Sequence, residues 1–124
     1  MKNIALLVTT PPNSHLTKTA YQFALDVLAS EHHLIGVFFY QQGVINGGKY
    51  ISFPSDEVNV QHLWQELNKD HQLSLHLCST AAEKFGLFPA ELVNPETELA
   101  EGFSLSGLGE LAALINKADK LVQL

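Results

Sequence analysis

The chain has 124 residues, 46% hydrophobic and 16% charged, which suits one globular domain over residues 1–124 with some surface left for partner subunits. Seven dispersed lysines stand against thirteen acidic residues, for a net charge of −6, so the basic patch that direct nucleic-acid binding needs is missing. The opening apolar run, Ile4 to Val8, is too short for a signal-peptide core or a membrane span, and a single cysteine fits a reducing compartment, so the expected location is cytoplasmic.

Ile4 to Val8 is rich in branched and apolar residues and reads as a strand buried on both faces of a parallel sheet. It runs out at Thr9-Thr10-Pro11-Pro12-Asn13-Ser14, a loop in which Asn13 or Ser14 caps the next element. From His15 to about Ser30, Leu16, Ala20, Tyr21, Ala24, Leu25 and Leu28 recur at helical spacing and predict an amphipathic helix. Leu34 to Tyr40 is a second buried strand, which completes a right-handed βαβ unit. A long glycine-containing loop follows, from Gln41 to Phe53. Ser55 with Asp56 and Glu57 then supplies a cap and first-turn charge for a helix carrying Val60, Leu63, Trp64 and Leu67.

Leu73 to Cys78 is the third strand. Thr80-Ala81-Ala82-Glu83 has the spacing of a capping box, and Gly86 is placed to close a short helix. Leu87 to Gly102 is irregular, with one helical turn at most. Phe103-Ser104-Leu105 reads as a short strand, Ser106 to Gly109 as a turn, and Leu108, Leu111, Ala112 and Ile115 as the apolar stripe of a last helix before a strand at Lys120 to Leu124. The pattern predicts a three-layer α/β/α fold around a mostly parallel, five-stranded sheet.

In such sheets reactive groups gather at the carboxyl ends of the strands, where this sequence places Thr9-Thr10, Tyr40 and Cys78. Cys78 ends a strand and Ser79-Thr80 starts a helix, so the thiol faces a helix start, whose unpaired N–H groups favour an anion. Tyr40 ends an otherwise apolar strand and places a hydroxyl near polar partners. His76 shares the face of Cys78 two residues earlier, a pleat spacing away, which supports a Cys/His dyad only weakly. No histidine pair has zinc spacing or carboxylate company, and no nucleotide-binding or hydrolase motif is present, so neither metal nor cofactor is expected.

The order of landmarks is Val37-Phe38-Phe39-Tyr40 with Gly43-Val44, Pro54-Ser55-Asp56-Glu57, Trp64, Leu67, Cys78, then Gly102-Phe103-Ser104-Leu105-Ser106-Gly107-Leu108-Gly109. Over essentially the whole chain this resembles the DsrE/TusD family of sulfur-relay proteins. The resemblance implies that Cys78 carries a persulfide; the residue pattern itself puts Tyr40, at the end of the second strand, and Ser79 and Thr80, at the helix start after the thiol, in supporting positions. It also implies a sulfurtransferase subunit that takes sulfur from a TusA-like donor and passes it to a TusE-like acceptor for 2-thiouridine at the tRNA wobble position. TusB-like and TusC-like subunits would complete a heterohexamer. Two alternatives share the fold: a subunit of a complex for dissimilatory sulfur oxidation, and a non-catalytic scaffold whose cysteine is a core residue.

Overall fold

A computed structural model describes residues 1–124. Five strands form one sheet in the order β4-β3-β2-β1-β5, and every neighbouring pair is parallel. They are β1 (Asn3–Val8), β2 (His33–Phe39), β3 (Leu75–Cys78), β4 (Phe103–Ser106) and β5 (Lys120–Gln123). The α-helices are α1 (His15–Leu28), α2 (Val60–His71), α3 (Ser79–Lys84) and α4 (Leu108–Lys117). Two 3-10 segments, Gln41–Gly47 and Pro95–Glu98, lie inside the two long connections.

Handedness places the helices. From β1 to β4 the chain steps along the sheet in one direction, and right-handed crossovers put α1, α2 and α3 on one face. Between β4 and β5 it steps back across the sheet, which puts α4 on the other. Side-chain alternation agrees: Trp64 of α2 packs edge-on against Phe39, whereas Leu114 of α4 lies over Gly36, three residues earlier on β2.

The core is one cluster of 24 buried residues between the sheet and its helices. Trp64 is fully buried and makes edge-to-face contacts with Tyr21 and Phe39, at centroid distances of 5.7 and 5.3 Å. Those geometries are the favoured ones for aromatic pairs.

Several local expectations shift. The cap of α2 is Asn59, whose side chain accepts from the His62 N–H, while Ser55-Asp56-Glu57 is taken up by a turn in which Glu57 N–H donates to the Pro54 carbonyl. Leu16 points outward on α1, and Thr17 takes the buried position, its hydroxyl donating to the Pro11 carbonyl. On α4 only Leu114 is buried and Leu111 half-buried, whereas Leu108, Ala112 and Ile115 are exposed. The loop after β2 is a packed 3-10 segment: a Cβ on Gly43 would collide with the Val8 carbonyl, and one on Gly47 with the Leu77 side chain. These glycines permit close approach of backbone to sheet.

Candidate active site

β3 runs into α3 with no intervening residue, so Cys78 is at once the last residue of the strand and the N-cap of the helix. No side chain caps α3, and the Thr80–Glu83 box does not form, because the cap position falls on Cys78 two residues earlier. The far end closes as expected. Gly86, at φ +77°, donates its N–H to Glu83 and is followed by the Leu87 N–H to the Ala82 carbonyl.

The neighbouring strand ends at the same level. Cys78 on β3 is the register partner of Ser106 on β4. Beyond these two residues the chains part, β3 into α3 on one face of the sheet and β4 into α4 on the other. Such a switch point leaves a crevice at the carboxyl edge of the sheet.

A cleft of about 540 Å³ occupies that edge. Thr9, Tyr40, Cys78 and Leu108 line it from the ends of β1, β2 and β3 and the start of α4. Gln41 and Gln42 form one wall and Thr80, Ala81, Lys84 and Phe85 of the α3 region another. Cys78 is buried, 1% exposed, and belongs to the lining of this cleft. Gln41 holds the left-handed conformation, φ 52°, uncommon for a residue other than glycine and shared in this chain by Gln72, which closes α2.

The structure brings together Cys78, Tyr40 and Thr80 from the sequence candidates. Ser79 is half-buried as the first residue of α3 and is not part of the lining. Tyr40 is held by its backbone, its N–H donating to Val8 and its carbonyl accepting from Gly43. Thr9 is fixed to the chain end, its N–H and hydroxyl both donating to the Leu124 carbonyl.

His76 does not join the thiol. Its Nδ1 lies 2.8 Å from the Ser106 hydroxyl and its ring stacks on Phe38, outside the cleft. Burial pulls its pKa below the ordinary histidine value, with the Glu110 carboxylate acting in the opposite sense. No group of three His, Cys, Asp or Glu side chains is arranged to hold a metal ion, and no helix is long and apolar enough to cross a membrane.

Sequence reasoning did not assign Lys84, Phe85, Gln41, Gln42 or Leu108 to the cleft, Gln41 being read as the start of a loop and Leu108 as part of an apolar helix stripe. For Lys84 a signal existed, since Thr80, Ala81 and Lys84 stand at the three- and four-residue spacing of one helix face.

Comparison with known proteins agrees with this architecture. The DsrE/DsrF-like family model matches residues 2–124. Sulfurtransferase TusD of Photorhabdus laumondii is 42% identical over 95% of this chain and 94% of its own length. Sulfurtransferase TusD of Buchnera aphidicola is 40% identical over 98% of both chains, and a TusD homolog of Haemophilus influenzae 40% identical over 85% of both. The crystal structure of the ychN protein from E. coli superposes with a TM-score of 0.79 over the whole of both chains at 22% identity, a likeness of fold. The chain belongs to the DsrE/DsrF-like family, and its activity class is that of a sulfurtransferase.

Proposed function

We propose that Cys78 carries sulfur as a persulfide and relays it between proteins. The observation that carries this reading is the placement of the chain's only cysteine at the β3–β4 switch point, in the lining of an open cleft. A sulfur atom enters when the Cys78 thiolate attacks the terminal sulfur of a donor persulfide. The donor's S–S bond breaks, its cysteine leaves as thiolate with the bonding electron pair, and the sulfane sulfur is now bonded to Cys78. There is no net oxidation, so no cofactor is called for.

A second thiol would resolve such a persulfide into a disulfide. This chain has no second cysteine, so the sulfur waits for the thiolate of an acceptor protein. The proposed donor is TusA-like and the proposed acceptor TusE-like, with the sulfur destined for 2-thiouridine in tRNA. The tRNA itself does not touch this chain, whose net charge is −6.

The proposed setting is a cytoplasmic heterohexamer with TusB-like and TusC-like subunits, built from this chain as one 124-residue domain. Exposed apolar side chains support subunit contacts: Leu108 and Ile115 on α4, and Leu121 on β5, which by register points to the same side of the sheet as Gly36 beneath α4. The test is a two-step transfer with a persulfide donor carrying labelled sulfur. Label is expected to reach the acceptor protein through the wild-type complex and to stop at the donor when Cys78→Ser replaces it. Equal delivery by the two would overturn the relay.

A further inference from the structure

Lys84 is the one cationic side chain in the lining of the Cys78 cleft, and no carboxylate lines it. The rest of the chain is acidic, with thirteen Asp and Glu against seven Lys. Lys84 forms no ion pair; its ammonium lies 5.9 Å from the centroid of the neighbouring Phe85 ring, which also lines the cleft. A cation left without a counter-ion, exposed in the lining of a cleft that also holds a buried thiol, is free to take its counter-ion from whatever enters.

We propose that Lys84 is the anion-binding residue of the sulfur-transfer site. This rests on the persulfide reading of Cys78. Both halves of that reaction bring like charges together: the Cys78 thiolate meets an ionisable donor persulfide, and later the Cys78 persulfide meets an acceptor thiolate. A cation beside that approach reduces the repulsion in each direction, and it holds the negative terminal sulfur while Cys78 is loaded. The bonds made and broken are those of the relay itself: the ammonium of Lys84 keeps its proton throughout. Lys84 also stands in the last turn of α3, where a cation complements the helix carbonyls, so a purely structural role has to be distinguished from this one.

Two alkylating agents separate them. Iodoacetate and iodoacetamide both form a bond from sulfur to carbon and expel iodide, but only the first is an anion. In the wild-type chain the ratio of the two rates at Cys78 reads the charge felt by an entering group. Lys84→Gln is expected to lower the iodoacetate to iodoacetamide ratio roughly three- to tenfold at low salt, with the difference shrinking as salt rises. Lys84→Glu lowers it further, and Lys84→Arg restores it. The rate of sulfur uptake from a persulfide donor follows the same order. An unchanged ratio in Lys84→Gln and Lys84→Glu overturns the inference and points to the helix-end role. If wild type takes up no sulfur at all, it is the persulfide reading that fails, and the alkylation ratio still decides whether Lys84 governs anion entry.

Discussion

Cys78 and Ser106 are register partners on adjacent parallel strands, and each is the last residue of its strand. The pairing holds the thiol at the point where α3 and α4 depart to opposite faces of the sheet. The position of the thiol is thus set by topology, through the direction of two crossovers, and by the absence of any linker between β3 and α3.

Gly43 fastens the wall of the cleft to the end of β1. Gly43→Ala drives a methyl group into the Val8 carbonyl, a backbone group that cannot rotate away. The expected cost is about 1–3 kcal/mol in urea unfolding, together with altered reactivity of Cys78, since Gln41 and Gln42 lead directly into this glycine. Wild-type stability and wild-type reactivity in the variant would show that the segment adapts.

Trp64 anchors α2 to the sheet through Phe39 and to α1 through Tyr21. Trp64→Ala should destabilise the fold by roughly 3–5 kcal/mol, measured by the same unfolding experiment. The indole N–H is buried without a partner, so Trp64→Phe removes an unsatisfied donor and should cost clearly less than the alanine change.

His76 gives a pH signature. Its folded pKa lies below the ordinary value of 6.5, chiefly from burial, so the unfolded chain binds the proton more readily. Its effect is therefore absent above the unfolded pKa. Stability is lost as pH falls from there through the lowered folded pKa, and rises with pH across that window. His76→Gln should flatten this part of the stability profile relative to wild type, on top of a pH-independent loss from the missing ring contacts with Phe38. A variant whose acid-side profile matches that of wild type would contradict the assignment.

Much of this was legible beforehand because it depends on periodicity. Five strands and three of the four helices follow from apolar runs and helical stripes, α3 was legible from its end signals although the Thr80–Glu83 box does not form, and the clustering of Thr9, Tyr40 and Cys78 follows from their places at strand ends. Less legible were features that depend on tertiary contact. Ser55 and Asn59 are both competent caps, and what selects Asn59 is the need to bury Val60 at the first turn of α2. The glycines of 41–48 suggest an open loop in sequence, yet Gly43 and Gly47 are there because the segment lies against the sheet. On α4 the stripe Leu108, Leu111, Ala112 and Ile115 is turned largely away from the sheet and Leu114 at its edge is the residue buried, an orientation that helical spacing alone does not specify.

The most direct test of the central claim is intact mass of the protein after incubation with a persulfidated donor, before and after reductant. The account predicts a gain of one sulfur atom on wild type that reductant removes, and no gain on Cys78→Ser. The same gain on both proteins, or no gain on wild type with its partner subunits supplied, would contradict it.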